Sequence, residues 1–137
     1  KQGVTHIIGS HPHVIQPMEL RTDSITRTQH AVVYSLGNFI SNMSKVNTDG
    51  GLIFTLELEK DTTTSTSPQV RVQRCGYNFV WTARPNFTKE KNYVLYPTDS
   101  TSISKLPEAA RNHLNIFVKN SQKLLHQHNI GIKENKK

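Results

Sequence analysis

The clearest structural signal in the sequence is an alternating segment in the middle of the chain. Between residues 52 and 59 every second position is apolar, namely Leu52, Phe54, Leu56 and Leu58. Successive side chains of a strand point to opposite faces of the sheet, so this pattern predicts a β-strand with one buried and one solvated face. A helical conformation here would contradict the fold class inferred below.

Shorter extended segments surround this strand. The predicted ones are residues 4–8, 16–20, 31–35, 70–80 and 92–96, where 70–80 is either one long strand or a pair of strands broken near Gly76. A Gly37-Asn38 turn and polar connections at 21–29 and 42–49 separate them. The Thr/Ser-rich stretch 62–68 cannot bury enough apolar surface to order itself, and it is predicted to be a mobile hairpin loop.

The apolar period changes from two to that of a helix after residue 106. A helix is predicted over 106–127, with an apolar stripe formed by Ala110, Leu114, Phe117, Val118, Ser121, Leu124 and Leu125. Ser104 or a neighbour would cap it, Pro107 and Glu108 suit its first turn, and Gly131 would stop it. We therefore expect one α/β domain over residues 1–137, with a regular core at about 3–100, the helix at about 105–128 and a flexible tail at 131–137.

Composition narrows the classes of partner. The 137 residues carry a formal net charge of +7, which favours anionic partners such as acidic polymers or phosphorylated molecules. The basic residues are scattered, however, and no nucleic-acid-binding signature is present, so nucleic acid is not predicted. The single cysteine, Cys75, excludes an intramolecular disulfide, and no apolar run reaches the roughly 20 residues of a membrane helix.

Two histidines follow the first predicted strand. Val4, Ile7 and Ile8 form a short apolar run that suits a buried strand, and Gly9 ends it. Pro12 favours an extended conformation for His11, and residues two apart in an extended segment project to one side. His11 and His13 are thus candidate metal ligands, because imidazole is the commonest metal-binding side chain. A polar loop with two solvated histidines is an equally good interpretation of these five residues alone.

A second segment of the sequence makes the interpretation of the histidine pair more specific. The run G-S-H-P-H-V-I-Q-P at residues 9–17 and the run Y-S-L-G-N-F at residues 34–39 together resemble the CapA-type poly-γ-glutamate capsule biosynthesis family. That family lies in the calcineurin-like metallophosphoesterase superfamily. The resemblance is dense from residue 5 to residue 39 and fades after residue 96.

The resemblance implies a fold and a site. The chain would form the C-terminal half of a metallophosphoesterase-like αββα sandwich, with mostly antiparallel strands and one C-terminal helix. His11 and His13 would be the late histidine pair, one for each ion of a divalent pair of Mn, Fe or Zn. Further residues would support the site or bind substrate: Ser10, Gln16, Glu19, Ser35 and Asn38.

The resemblance also implies that the site needs more than this chain. Catalytic zinc normally takes three protein ligands, and the superfamily's other ligands lie on earlier Asp-x-His, Gly-Asp and Gly-Asn-His motifs, which the sequence lacks. We expect the chain to be the C-terminal part of a larger protein. By itself it would be inactive and would bind no metal or bind it weakly. Its partners would be the missing N-terminal half of the domain and an acidic polymer or phosphorylated substrate.

Three functions remain open at this point. The parent is a metal-dependent phosphoesterase-type enzyme of capsule synthesis or export, a non-catalytic scaffold for capsule assembly on the same fold, or a basic polyanion-binding module. The first two place the parent at the bacterial cell envelope. If the chain is cut inside a domain, its exposed strand edges would also favour a homodimer.

Overall fold

The computed structural model describes residues 3–43, 45–62, 69–99 and 101–135, which form two small sheets and one long helix. The strands in chain order are β1 (Ile7–Ile8), β2 (Met18–Thr22), β3 (Gln29–Val33), β4 (Gly50–Asp61), β5 (Gln69–Ala83), β6 (Val94–Pro97) and β7 (Lys133–Glu134). The helices are α1 (Pro85–Thr88), a 3₁₀ helix (Thr101–Lys105) and α2 (Glu108–His128). None of these helices is long and apolar enough to cross a membrane.

The first sheet has the strand order β1-β3-β2. β1 pairs in parallel with β3, whereas β2 pairs antiparallel with β3 along its full length. Met18, Ala31 and Val33 on its inner face are fully buried. Ile130 covers the outer edge of β2, since its backbone exchanges hydrogen bonds with Met18 and Leu20.

The second sheet has the order β4-β5-β6, with β7 added in parallel to β5. The alternating segment lies within β4, as predicted, but burial declines along the strand: Leu52 is buried and Leu58 is 47% exposed. Of the two alternatives for residues 70–80, the single long strand is confirmed, because β5 runs through Gly76 without a break. The irregularity is a register shift at Glu57/Leu58 in the pairing of β4 with β5. At Gly76 the strand pairs with Lys133 of β7.

Helix α2 carries the predicted apolar stripe. Its buried positions are Ala110, Leu114, Phe117, Ser121 and Leu125. Phe117 meets Phe79 of β5 edge-to-face at 6.4 Å, which places the helix against the second sheet. The predicted Ser104 cap is wrong: Pro107 occupies the cap position without a side-chain bond, and the Ser104 hydroxyl donates to the Thr101 carbonyl inside the 3₁₀ helix.

The prediction of a flexible tail is wrong for residues 131–135. Gly131 adopts a left-handed φ of +69° beyond the Asn129 cap, so the chain turns back towards the sheets. Ile132 is then buried in the core, and Lys133–Glu134 form β7. The Asn129 side-chain oxygen accepts a hydrogen bond from the Met18 N–H at 2.8 Å, which ties the end of the helix to the first sheet.

The first predicted strand exists but is not buried. Val4 is 63% exposed, and Ile7 and Ile8 of β1 are 55% and 51% exposed. The reason is that β1 pairs on one side only, and the described residues leave both of its faces partly open. The α/β class is therefore confirmed, while the half-sandwich and the domain limits stay predictions. Of the predicted mobile loop, residues 63–68 lie outside the described residues.

Candidate metal-binding loop

The loop of residues 9–17, which carries both candidate ligands, is fastened to the segment that leaves β3. The Gly9 N–H donates to the Val33 carbonyl at 2.8 Å, and the Leu36 N–H donates to the Gly9 carbonyl at 2.9 Å. At the other end of the loop the Gln16 N–H donates to the Ser35 carbonyl at 3.0 Å. The two sequence runs that carry the family resemblance are thus neighbours in space.

Gly9 is required at the start of this loop because the backbones approach closely there. A Cβ at this position would lie 2.7 Å from the Tyr34 carbonyl oxygen, which is closer than side-chain carbon atoms come to backbone oxygens. Only glycine lets the strand pass so near its neighbour.

The chain turns at the histidine pair instead of continuing in an extended form. The His13 N–H donates to the Ser10 carbonyl at 3.3 Å, with His11 and Pro12 between them, so the expected extended geometry is wrong. His13 has a left-handed φ of +61°. Non-glycine residues seldom adopt this conformation, and such backbone outliers concentrate at functional sites.

A buried amide fixes the ring of His13. The His13 Nδ1 lies 2.8 Å from the Asn38 Oδ1, and the Asn38 Nδ2 donates to the Thr48 carbonyl at 2.9 Å. Because the Thr48 carbonyl only accepts, the Asn38 amide must place its oxygen towards the ring. The Nδ1 of His13 therefore carries the proton and donates it, which leaves the Nε2 lone pair free for a metal ion or a proton.

The network behind His13 is itself held in place. Asn38 and Thr48 are both buried, at 7% and 4% exposure, and the Thr48 hydroxyl donates to the Lys45 carbonyl at 2.6 Å. The Asn38 N–H also donates to the Gly50 carbonyl at 2.9 Å, which connects the site to the start of β4. A histidine whose distal nitrogen hydrogen-bonds a fixed oxygen is the usual arrangement for metal ligands.

The other predicted site residues are arranged unevenly. Ser35 is fully buried beside the turn, and its hydroxyl accepts a hydrogen bond from the Gly37 N–H at 3.2 Å. Ser10 and Gln16 contribute through their backbones, as described above. Glu19 is the second residue of β2, where its carboxylate pairs with Arg21 at 2.6 Å. His11 is exposed, and its ring has no hydrogen-bond partner among the described residues.

Sequence reasoning did not include Thr48 in the site. Its contribution to Asn38 is a main-chain carbonyl oxygen, which every residue type has. No side-chain motif signals such a role, and only the folded path of the loop after residue 40 brings this carbonyl to the amide.

The described residues do not contain a complete set of metal ligands. No group of three or more His, Cys, Asp or Glu side chains that could hold an ion occurs within residues 3–43, 45–62, 69–99 and 101–135. Burial raises the pKa of the Cys75 thiol, which keeps it protonated and makes it a poor ligand. The imidazoles of His11 and His13 have a donor chemistry that suits Zn, Fe or Mn, but two side chains are fewer than the three protein ligands that a catalytic zinc normally takes.

His6, just before the loop, has a different environment. Its Nδ1 accepts a hydrogen bond from the Ala31 N–H at 3.2 Å, so its proton lies on Nε2 when the ring is neutral. Burial, followed by the nearby positive charge of His30, lowers the pKa of His6. His30 in turn donates from Nδ1 to the Thr5 carbonyl at 3.1 Å. These two rings stabilise the pairing of β1 with β3.

Comparisons with known proteins agree with the sequence resemblance over the loop region. Residues 1–43 match the family model described as "Bacterial capsule synthesis protein PGA_cap". No curated protein and no solved structure gives a significant match. The match contains the whole histidine loop and Asn38, and it supports a CapA-like capsule synthesis family member.

Proposed function

We propose that this chain contributes His11 and His13 to a divalent-metal site of phosphoesterase type in an envelope-associated capsule synthesis protein. In the superfamily that the sequence resembles, the remaining ligands come from segments that precede the histidine pair. The proposal therefore concerns the share of the site that these residues supply, and it expects the chain by itself to be inactive.

The observation that supports the proposal most strongly is the His13–Asn38–Thr48 network. It fixes the ring orientation and the proton position with two hydrogen bonds of 2.8 and 2.9 Å and leaves Nε2 unencumbered. Besides holding the loop in place, the bond to Asn38 determines which ring nitrogen presents its lone pair, as the orienting partner of a metal ligand does.

The two histidines would have unequal roles. His13 would be the rigid ligand, because its second nitrogen is bound by Asn38. His11, exposed on the turn, would be the adaptable one. A bound divalent pair supplies Lewis-acid activation of water and charge stabilisation for phosphoester hydrolysis. Asn38 holds the proton of His13 on Nδ1, so the ring stays in the tautomer that presents the Nε2 lone pair to a cation.

The test compares metal content and affinity in the complete gene product. His13→Ala should abolish binding at one position, and Asn38→Ala should weaken metal affinity by about 10–100-fold because the ring loses its orienting partner. Competition with a chelator and elemental analysis measure both effects. Hydrolysis of bis(4-nitrophenyl) phosphate in the presence of Mn²⁺ reports whether the site is catalytic.

A matched control is His126→Ala, which removes an exposed imidazole from α2 and should leave metal content unchanged. If His13→Ala and Asn38→Ala behave like this control, the loop is not a metal site. Metal bound normally in the wild type with no hydrolysis would favour the scaffold function on the same fold. Salt-sensitive polyanion binding that is indifferent to both substitutions would favour the basic module.

A further inference from the structure

A second surface of the molecule has features of a binding site that the metal proposal does not use. It is a cleft of about 680 Å³, here called the edge cleft, between the connection to β3 and the far part of the β4–β5 hairpin. One wall contains Thr5, His6 and residues 26–29, and the other contains Leu58 and residues 70–72.

The hairpin wall is an open strand edge. β5 pairs with β6 over residues 80–83 and with β7 at residues 76–77, while no described strand pairs with its outer edge over residues 70–72. The Val72 N–H points out of the hairpin, because it donates to the Gln29 Oε1 at 3.3 Å and not to β4. Residue alternation directs the N–H and C=O of Val70 the same way.

Gln29 acts as a substitute for a missing strand. Its side-chain carbonyl accepts the hydrogen bond that a neighbouring strand's backbone carbonyl would accept, at the rather long distance of 3.3 Å. Unpaired edge groups of this kind are templates for an additional strand. A flexible glutamine side chain can leave the position at small cost when a better partner arrives.

The chemistry of the cleft specifies the partner. Leu58 and Val70 are 47% and 50% exposed, so an incoming strand would meet apolar side chains on one face. Arg27 and Arg71 line the same cleft, and no acidic residue does so within the described chain. The Arg71 side chain is 60% exposed, and its guanidinium lies 3.6 Å from the Asp61 carboxylate, a long distance for an ion pair. These charges favour a partner with carboxylate side chains.

We propose that the edge cleft binds an extended, acidic peptide segment that adds a strand to β5 and displaces Gln29. Main-chain hydrogen bonds to Val70 and Val72 would give affinity, and alternating apolar and acidic side chains would give specificity. The occupant is thus a protein segment in strand conformation with carboxylates on alternate positions.

The test is a titration of the protein with a capped hexapeptide of alternating valine and glutamate, followed by amide NMR and hydrogen exchange. We expect saturable shifts and new protection of the Val70 N–H. Val72→Pro removes the outward N–H while leaving the pairing with β4, and it should weaken binding by about tenfold or more. Gln29→Ala vacates the edge and should tighten binding by about threefold.

Three further samples make the outcome decisive. The same peptide with a central proline, or with lysine replacing glutamate, should bind at least about tenfold more weakly. Inorganic phosphate that shifts the same amides with similar affinity would overturn the proposal in favour of a simple anion site. Shifts that depend on protein concentration without peptide would assign the edge to a second copy instead. If Val72→Pro does not fold, Gln29→Ala decides, and unchanged affinity there contradicts the proposal.

Discussion

The second half of β5 and the strand β1 are both apolar β segments, yet their environments are opposite. Tyr77, Phe79 and Trp81 are at most 1% exposed, because β5 has neighbours on both edges and α2 across one face. Ile7 and Ile8 are more than half exposed, since β1 has one neighbour. The difference shows that an apolar strand is buried where it has neighbours on both edges and a helix over one face, so the second half of β5 contributes more apolar burial to stability than β1 does.

The largest expected effect tests this division of stability. Trp81 is fully buried between Phe87 and Tyr96, and its Nε1 donates to the Asp49 carboxylate at 3.0 Å. Trp81→Ala should lower the free energy of unfolding by about 3–5 kcal/mol through the cavity and the lost hydrogen bond. Ile7→Ala should cost about 1 kcal/mol or less, because half of that side chain is already in water. Urea denaturation measures both.

Equal losses in these two variants would contradict the comparison. They would mean that Ile7 is covered in solution, and that β1 belongs to a larger packed sheet or to a self-associated form. Sedimentation of the wild-type protein across a range of concentrations distinguishes these two causes.

A smaller effect should appear in the pH dependence of the free energy of unfolding, through His6 beside the first sheet. Burial and the charge of His30 lower the pKa of His6, so below about pH 6.5 the unfolded chain binds a proton at this residue more readily than the folded one. The contribution of His6 to the free energy of unfolding is therefore complete above that pH. It is lost as the pH falls from about 6.5 towards the lowered pKa of His6 in the folded protein.

The measurement for this prediction is unfolding free energy as a function of pH. The wild type should lose more stability between about pH 7.5 and 5.5 than His6→Gln, which has no titrating ring at this position. His126→Gln on the exposed side of α2 is the control and should follow the wild type. If His6→Gln also follows the wild type, His6 does not carry the acid sensitivity.

Sequence patterns predicted the fold best where local and tertiary preferences agree. The alternation at Leu52–Glu59 and the stripe of α2 both appear as predicted, because each pattern has one apolar face and one partner surface. The burial of β1 was predicted wrongly, since an apolar run shows what can be covered but not whether a neighbour covers it. The C-terminal strand β7 was missed because Lys133 and Glu134 give no apolar signal, and a backbone pairing with Gly76 orders them.

The candidate site was predictable only in part for a related reason. His13 and Asn38 are recognisable by residue type, and the family resemblance brought their segments together. The turn at His11 and the left-handed backbone of His13 were not predictable, because contacts from the Val33–Leu36 segment override the extended preference before Pro12. The role of the Thr48 carbonyl could not be predicted either, because every residue type has a backbone carbonyl.

The proposed metal site depends on Asn38 fixing His13 in the tautomer that leaves Nε2 free. Long-range ¹H–¹⁵N correlation spectra of the histidine rings at about pH 8, where histidines are neutral, test it directly. We expect a proton on Nδ1 of His13, a proton on Nε2 of His6 in the same spectrum, and loss of the fixed Nδ1–H form of His13 in Asn38→Ala. A proton on Nε2 of His13 in the wild type, or a spectrum of that ring unchanged by Asn38→Ala, would contradict it.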